Sequence, residues 1–316
     1  MKNSQTALLA WYEKFGRHEL PWRNTDDVYH IYVSEIMLQQ TQVKRVMEEY
    51  YPRFLERFPT LQSLADATEQ EVLAQWSGLG YYSRARNLHA TAKLTCKVKS
   101  FPSSQKELIK LPGIGRYTAS AIQSFAYHHN VAVVDTNIER VIKRYFGLLG
   151  QSVEIVWKKA ESFVNKTQPT LHNQALMDLG SLVCLPQNPT CKTCPLSLTC
   201  KGKNEPELYT QKRKTVYEEM ELFYGIALKN GKIALLLSHG PMYKGLLELP
   251  SVEPIEENFI AQFKHSYTKY RLTVKLYRLE DYEDENAKWL DFDSLENAHI
   301  SSLTKKALLH VSKDIG

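Results

Sequence analysis

Residues 111–122 read LPGIGRYTASAI, and this stretch decides the fold of the first part of the chain. Its two glycines frame a tight turn between helical runs, since glycine permits a positive φ and a close backbone approach. The amides at the start of the following helix would face outward, ready for a phosphate oxygen, and Arg116 adds a positive charge. We therefore predict a helical hairpin that binds an anion through Gly113, Gly115 and Arg116. An ordinary turn between two helices remains the alternative.

The residues on both sides of this stretch are predicted to be helical. Apolar side chains recur at spacings of three and four, as at Ala119, Ile122 and Ala126. Short breakers such as SGLG (77–80) and FPSS (101–104) separate the runs, and there is no sustained alternation of the kind typical of strands. We predict a bundle of short helices up to about residue 200.

The pattern changes after a polar, highly charged segment at 206–221, which we interpret as a linker. Beyond it, LFYGIAL and KIALLLS flank Asn230-Gly231, a pair that favours a tight β-hairpin turn. Residues 270–279 are predicted to form another strand, and the tail a short amphipathic helix. The 316 residues are thus expected to form two domains, a helical one at 1–205 and a smaller α+β one at 222–316.

Basic side chains are concentrated in one part of the chain. The net charge is +5 overall, but residues 81–116 alone carry eight basic side chains and one acidic side chain, and begin with two tyrosines. Basic groups interleaved with aromatic rings suit a phosphate backbone and unstacked bases. A solvated basic face is the alternative.

The composition is that of a globular protein. Hydrophobic residues make up 43% of the chain, and no apolar run approaches the ~20 residues that a membrane-spanning helix needs. The N-terminus has neither a long apolar core nor a small-residue cleavage site, so we interpret it as the start of an amphipathic helix rather than a signal peptide. We expect a cytoplasmic protein with no membrane partner.

Four of the five cysteines lie on one short loop, CLPQNPTCKTCPLSLTC, at Cys184, Cys191, Cys194 and Cys200. Four thiolates at such spacing can hold tetrahedral zinc or an iron–sulfur cluster. Disulfides are a weaker explanation, because nothing in the sequence indicates secretion. The spacing alone does not decide between the two kinds of metal site.

Two carboxylates stand at unusual places. Glu35 lies inside the largely apolar run VSEIMLQQTQV (33–43), and Asp135 follows the apolar stretch VAVV and begins the next helical run. A solvated helix face would explain Glu35, and helix capping would explain Asp135. Alternatively, an apolar setting raises the pKa of a carboxyl group, as a general acid that works near neutral pH requires.

Together these motifs resemble the adenine DNA glycosylases of the MutY type, in the helix-hairpin-helix glycosylase superfamily. The resemblance covers nearly all of residues 1–205 and is carried by LPWR, SEIMLQQTQV, GLGYYSRARNLH, LPGIGRYTA, VVDTNIERV and NQALMDLGSLVC, followed by the cysteine loop. A weaker match, at GLLELP and FKHSYTKYRLTV, extends into the second domain. The implied fold class is multi-domain: an all-α helix-hairpin-helix glycosylase with an iron–sulfur cluster loop at 184–200, followed by a smaller α+β domain similar to Nudix proteins.

Members of this family excise adenine paired with 8-oxoguanine, after flipping the adenine out of the duplex. The resemblance therefore implies hydrolysis of the N-glycosidic bond in double-stranded DNA that contains 8-oxoguanine:adenine or guanine:adenine mispairs. It also implies a nucleoid-associated monomer, in which the four cysteines hold a [4Fe–4S] cluster rather than zinc.

The resemblance also implies the roles of the reacting groups. Glu35 matches the general acid that protonates a ring nitrogen of adenine, and Asp135 the carboxylate that stabilises the oxocarbenium-like sugar. Asn137 matches a residue that orients water near the aspartate, whereas Thr136 departs from the family's usual glycine. Tyr117 stands where endonuclease III carries a Schiff-base lysine. Since tyrosine cannot form that imine, we expect a monofunctional glycosylase with weak or no strand cleavage.

Further residues match positions that contact DNA in the family. Gln40 and Tyr81 match side chains that insert into the base stack beside 8-oxoguanine, where an aromatic ring can replace lost stacking. The others match neighbours of the lesion or the wall of the adenine pocket, and they are Leu38, Thr41, Trp22, Arg23 and Gln174.

In the second domain, Tyr267, Thr268 and Lys269 align with the family's Phe-Ser-His loop that reads the lesion. The lysine keeps a hydrogen-bond donor but lacks the flat imidazole ring. Residues 251–262 contain no REXXEE pattern of the kind that binds metal in Nudix hydrolases, so we expect no pyrophosphatase activity.

Two alternative functions remain at this stage. One is a pyrimidine glycosylase/lyase like endonuclease III, which Tyr117 and the second domain argue against. The other is a non-catalytic iron–sulfur protein that binds DNA, in which Glu35 and Asp135 would be structural.

Overall fold

The computed structural model describes residues 1–98, 100–210, 216–296 and 298–311. The chain divides into two compact units. The first is formed by Met1–Ala67 and Arg86–Lys212, and the second by Thr68–Ala85 and Arg213–Gly316. The limits predicted from composition keep residues 68–85 in the helical domain, whereas the compact units group them with the C-terminal part.

The prediction of short helices up to about residue 200 is confirmed, and in the described part of the chain the strands begin only at Glu218. The helices are α1 (Lys2–Phe15), α2 (Val28–Met37), α3 (Val43–Arg45), α4 (Tyr51–Arg57), α5 (Leu61–Asp66), α6 (Glu69–Gln75), α7 (Ser83–Lys97), α8 (Gln105–Leu108), α9 (Arg116–Phe125), α10 (Thr136–Phe146), α11 (Val153–Phe163) and α12 (Pro169–Leu182).

The core of the first unit follows the helical period. In α10 the buried apolar side chains Ile138, Val141, Ile142 and Tyr145 recur at spacings of three, one and three, which places them on one face. They pack with buried residues of α1, α9, α11 and α12 in a single hydrophobic cluster. Asp135 caps the start of α10, and Gly147 ends the helix with a φ of 70°. These packed helices hold the ends of α2, α9, α10 and α12 beside one another.

A short π-helical stretch lies between two α-helices, near Pro52. Between α3 and α4, Val46–Tyr50 forms a π-helical stretch. Pro52, in the first turn of α4, has no N–H to donate to the carbonyl of residue 48. The π turn lies just before this proline, and π turns of this kind occur as single-turn insertions in α-helices.

The hairpin predicted at 111–122 joins α8 to α9. Gly113 adopts a φ of 73°, in the left-handed region that favours glycine, and a Cβ built there would lie 2.8 Å from the Cβ of Asn87. Gly115 is the N-cap of α9 with a φ of −91°, and a Cβ there would meet nothing within 4 Å. Only the first glycine is therefore required by the turn itself.

The second unit is built on a mixed sheet. Its strands are β1 (Glu218–Lys229), β2 (Lys232–Leu237), β3 (Leu247–Glu248), β4 (Phe259–Tyr267), β5 (Tyr270–Leu279) and β6 (Lys288–Asp291), and α13 (Ser302–Val311) follows them. The strand order is β3-β2-β1-β5-β4, with β6 paired to β2. β1 runs parallel to β5, and its other pairing, with β2, is antiparallel.

Three local predictions for this unit are confirmed. Asn230 and Gly231 form the turn of the β1–β2 hairpin, and both have positive φ, 51° and 74°. Residues 270–279 form β5, and the tail contains the predicted helix.

The predicted linker at 206–221 is only partly described. Pro206–Tyr209 forms a short 3₁₀ turn, and the last four residues of the segment already belong to β1. Residues 211–215 lie outside the described residues. No helix in the described ranges is both long enough and apolar enough to cross a membrane.

We predict that Gly113→Ala destabilises the protein by roughly 1–3 kcal/mol, because alanine is strained in the left-handed backbone conformation and its Cβ meets Asn87. Gly115→Ala is the matched control, since its backbone is extended and its surroundings are open. Urea denaturation followed by circular dichroism measures both. Equal shifts of the two midpoints would contradict this account of the turn.

Candidate active site

A cavity of about 680 Å³ lies in the first unit, and we call it the Glu35 cavity. Its walls come from α2, α9, α10 and α12, and from the loop that follows α2. Its volume is in the range of small-molecule sites. Ten of the residues singled out from the sequence line it: Trp22, Arg23, Glu35, Leu38, Gln40, Thr41, Tyr117, Asp135, Asn137 and Gln174.

Glu35 is buried, with 4% of its surface exposed, in a helix whose residues from Ile31 to Met37 are all buried. The hydroxyl of Tyr117 donates a hydrogen bond to its Oε2 at 2.7 Å. Burial, the largest cause, and the nearby charge of Asp135 raise the pKa of Glu35, whereas the hydrogen bond from Tyr117 and the charge of Arg23 lower it, and the net result is a pKa of about 7. A substantial fraction of the carboxyl group is therefore protonated at neutral pH, and it can give a proton to a group in the cavity.

Asp135 has a different environment. Its Oδ1 accepts the backbone N–H of Ile138 at 2.6 Å, and its Oδ2 accepts the side-chain amide of Asn137 at 3.0 Å. Burial raises the pKa of Asp135, and the hydrogen bonds from Ile138 and Asn137 oppose that rise because they favour the ionised form. The capping role expected of Asp135 is confirmed, and it coexists with a place in the cavity wall.

The amide of Asn137 is held from its other side. Arg140 donates to the Oδ1 of Asn137 at 2.9 Å, so the nitrogen of that amide faces Asp135. The same guanidinium donates to the backbone carbonyls of Gly180 at 2.6 Å and Cys184 at 2.7 Å. A continuous hydrogen-bonded path therefore leads from the first cysteine of the loop to the Asp135 carboxylate.

A buried ion-pair network supports the wall beside Trp22. Asp178 is fully buried and accepts hydrogen bonds from the guanidinium groups of Arg17 and Arg23, at distances between 2.5 and 2.8 Å. Burial alone would raise the pKa of Asp178, but these two partners hold it below its usual value. Since the ion pair of Arg23 is made with Asp178, Arg23 is not a direct partner of Glu35.

The two residues predicted to insert into the base stack share a backbone feature. Gln40 and Tyr81 have positive φ values, 57° and 50°. Such values are uncommon for residues other than glycine and are concentrated at functional sites. Gln40 is exposed at the rim of the Glu35 cavity, and Tyr81 belongs to the second compact unit, where the guanidinium of Arg84 lies 5.4 Å from its ring. Their roles stay predictions.

The hairpin exposes the groups expected to bind an anion. Gly113 and Gly115 are exposed, and the N-terminus of α9 is open. Arg116 is not free, because its guanidinium pairs with Glu154 at 2.9 Å and stacks over the ring of Trp157 at 4.0 Å. Any contact of Arg116 with a phosphate would have to compete with the Glu154 carboxylate.

The three residues expected to read a lesion lie at the turn between β4 and β5. Tyr267 ends β4 and its ring contacts that of Tyr243, with centroids 4.8 Å apart. Thr268 has a φ of 51° and is exposed, and the ammonium group of exposed Lys269 pairs with Glu218 of β1 at 2.5 Å.

The four loop cysteines line one small cavity that is separate from the Glu35 cavity. None of them forms a disulfide. Buried Arg144 binds this loop through the Sγ of Cys184 at 3.2 Å and the carbonyl of Leu185 at 2.7 Å. The four thiols around one cavity are ligands of the type that an iron–sulfur cluster uses. Their arrangement is a separate matter: in the described part of the chain, no group of three or more Cys, His, Asp or Glu side chains is arranged to hold a metal ion.

Several residues of the site were not singled out from the sequence. Asp178 carries the same signal as Glu35, a carboxylate inside the apolar run NQALMDLGSL, and could have been found by it. Gly180 lets α12 approach α10, since a Cβ there would lie 2.7 Å from the Cβ of Asn137. Arg140 and Arg144 carry no such signal, because basic residues in a helix usually face solvent.

Comparison with known proteins shows which family this chain resembles. Residues 33–182 match the sequence model of the "HhH-GPD superfamily base excision DNA repair protein". The adenine DNA glycosylase of Buchnera aphidicola subsp. Acyrthosiphon pisum is 31% identical, with 98% of this chain and 97% of that protein aligned. The enzyme of the same name from subsp. Baizongia pistaciae is 45% identical over 64% of this chain and 59% of its own length. For the human adenine DNA glycosylase the identity is 40%, over 64% of this chain and 39% of that one.

Two solved structures each superpose on 64% of this chain. A thermostable thymine-DNA glycosylase superposes with a TM-score of 0.60 at 28% identity, over 64% of this chain and 95% of that chain. Endonuclease III in a non-covalent DNA complex gives a TM-score of 0.55 at 23% identity, over 64% and 94%, which shows a shared fold.

The near-complete alignment with the Acyrthosiphon relative decides the assignment, because it includes both the helical part and the sheet. The chain belongs to the adenine DNA glycosylase family, within the HhH-GPD superfamily of base excision repair proteins.

Proposed function

We propose that the protein excises adenine from double-stranded DNA in which adenine is paired with 8-oxoguanine or guanine. The observation that carries this proposal is the pair of carboxyl groups in one cavity: Glu35, whose pKa of about 7 keeps part of it protonated at neutral pH, and Asp135, whose ionised form is favoured by hydrogen bonds from Ile138 and Asn137 against the effect of burial. Two carboxyl groups whose environments differ in this way suit acid-assisted glycosidic cleavage. Family membership supports adenine as the base.

The proposed reaction begins with the adenine extruded into the Glu35 cavity. Protonated Glu35 donates its proton to a ring nitrogen, and the electron pair of the C1′–N9 bond leaves with the base. The Asp135 carboxylate stabilises the positive charge that develops on the sugar. Water then attacks C1′ and gives its proton to the Glu35 carboxylate, which restores the starting state.

Tyr117 favours a monofunctional reaction. Its phenol can donate a hydrogen bond but cannot form an imine with the sugar, and none of the described side chains that line the Glu35 cavity is a lysine. The glycosylase/lyase alternative therefore has no nucleophilic amine in this cavity.

We further propose that Cys184, Cys191, Cys194 and Cys200 hold a [4Fe–4S] cluster. The cluster, when bound, supplies four iron–thiolate bonds that hold the loop together. Arg144 and Arg140 bind the backbone of this loop and connect it to α10. The first role of the cluster would thus be to hold α10, whose N-cap is Asp135, in position.

For the C-terminal unit we propose contact with the lesion-containing strand through the β4–β5 turn, and a Nudix-like ancestry for its sheet. Exposed Thr268 and Lys269 support the first point, because they stand at the tip of a two-residue turn. Lys269 would have to exchange its pairing with Glu218 for a contact with DNA.

Replacement of Glu35 by Gln should reduce the single-turnover rate of adenine release roughly 10²–10⁴-fold, because the amide cannot donate the proton that departs with the base. DNA binding, measured by fluorescence anisotropy, should change little, since the two side chains have nearly the same shape. Retained excision in this variant would remove Glu35 from the acid role.

The single-turnover rate should fall about tenfold per pH unit above about pH 7, as Glu35 loses its proton. It should also fall at acid pH, where Asp135 becomes protonated. Tyr117→Phe should move the alkaline limb to higher pH, because the hydrogen bond that this variant lacks lowers the pKa of Glu35. An alkaline limb that stays in place in this variant would contradict the assignment.

Cys191→Ala should lose iron and sulfide and lower the thermal midpoint by about 2–4 °C for each kcal/mol of stability lost. Cys96→Ser is the control, because this thiol lies in α7 outside the loop. Iron analysis and thermal unfolding of anaerobically purified protein measure both effects. Full iron content in Cys191→Ala, or stoichiometric zinc in the wild type, would overturn the cluster proposal.

A further inference from the structure

The side chain of Gln174 has a defined orientation in the wall of the Glu35 cavity. It projects from α12, and its Oε1 lies 2.9 Å from the hydroxyl of Tyr12, a buried residue of α1. Tyr12 does not itself line the cavity. It therefore acts on the cavity only through the residues it contacts.

The direction of this hydrogen bond follows from the partners of the Tyr12 hydroxyl. Arg23 donates to that oxygen from Nη1 at 3.3 Å, and a guanidinium has no acceptor to offer. The single hydroxyl proton of Tyr12 is therefore available for Gln174, which must accept it through its oxygen. Because Gln174 lines the cavity, its amide nitrogen, with two N–H donors, is then the group left to contact a bound base.

Ion pairs with Asp178 hold Arg23 in place, and Arg23 in turn holds the Tyr12 hydroxyl. Arg23 is held by fully buried Asp178 through two hydrogen bonds, at 2.7 and 2.8 Å, and Arg17 binds the same carboxylate. A charge-assisted bidentate pair fixes the plane of a guanidinium. Arg23 thus donates to both Asp178 and the Tyr12 hydroxyl, and Tyr12 donates onward to Gln174, so reversal of the Gln174 amide would leave the Tyr12 oxygen facing two donors.

We propose that Tyr12 is a positioning residue that makes Gln174 an N–H donor to the extruded base, so that this wall selects bases with an unprotonated ring nitrogen at that edge. The inference rests on the proposed adenine excision. It adds a second donor to the cavity beside protonated Glu35. A purine with acceptor nitrogens at both points would satisfy both donors, whereas a base with an N–H group at the Gln174 contact would leave two donors facing each other.

The test uses the full-length protein and a duplex with adenine opposite 8-oxoguanine, and it measures the saturating single-turnover rate and the affinity for a non-hydrolysable adenosine analogue. Tyr12→Phe should lower both, the affinity about tenfold, since one oriented hydrogen bond is lost. In the Gln174→Ala background the same substitution should change neither by more than about twofold, because the orienting effect has no target.

Two further variants separate positioning from packing. Tyr29→Phe is the matched control, since Tyr29 is also buried and loses a hydrogen bond to a backbone carbonyl, that of Phe58, but does not line the cavity. It should leave both readouts unchanged. Gln174→Glu should bind the analogue more weakly than Gln174→Ala, because a carboxylate oxygen would face an acceptor nitrogen.

Analogues that lack N1, N3 or N7, one at a time, identify the contacted atom. The analogue without that nitrogen should be insensitive to Gln174→Ala. A full Tyr12→Phe effect in the Gln174→Ala background, equal effects of Tyr12→Phe and Tyr29→Phe, or wild-type affinity in Gln174→Glu would overturn the inference. Wild-type protein that releases no adenine would instead overturn the proposed function, and the inference with it.

Discussion

The carboxyl group of Glu35 is buried, and no cation among the described residues pairs with it directly; the site depends on this constraint. Every residue of α2 from Ile31 to Met37 is buried, so the side chain has no solvated face to turn to. The guanidinium of Arg23, whose charge acts on Glu35, is paired with Asp178 instead. The single hydrogen bond from Tyr117 does not offset the loss of hydration, and the pKa rises. An ordinary ion pair at this position would hold the proton off and leave no acid in the cavity.

Asp135 differs from Glu35, because it accepts hydrogen bonds from Ile138 and Asn137 that favour its charged form against the effect of burial, which raises its pKa. One of these donors is the side-chain amide of Asn137, which Arg140 turns toward the carboxylate, and Arg140 is bound in turn to the carbonyl of Cys184. The cysteine loop is thus linked to the carboxylate by three successive hydrogen bonds, from Cys184 through Arg140 and Asn137. This link gives a physical reason for the proposed cluster, although the proposed chemistry requires no electron transfer.

The sequence predicts features that local interactions set. The helices, the Asn230-Gly231 turn and the hairpin at 111–122 follow from periodicity and from glycine positions, and all are present. The parallel pairing of β1 with β5 was not predicted, because it joins residues about fifty positions apart and no local pattern encodes it. The grouping of residues 68–85 with the sheet has the same origin in tertiary contacts.

The site was predictable to a similar degree. Ten of the residues that line the Glu35 cavity could be named, but their orientations could not. In NIERVIKRYF, Arg140 and Arg144 look like a solvated basic face, yet Arg144 is 2% exposed and both bind the cysteine loop. Which nitrogen or oxygen an amide presents, as at Asn137 and Gln174, depends on partners from other helices. Hydrogen-bond polarity of this kind is a property of the assembled core.

The ionisation of Glu35 itself is the most direct test. Protein labelled with ¹³C at the glutamate side-chain carboxyl carbon can be titrated by NMR, with Glu35→Gln used to identify the resonance. The account predicts one carboxyl resonance, absent from the variant, that titrates near pH 7 in the folded protein. A Glu35 resonance that titrates near the ordinary value of 4.5 would contradict it, because the group would then be ionised at neutral pH and could not act as the acid.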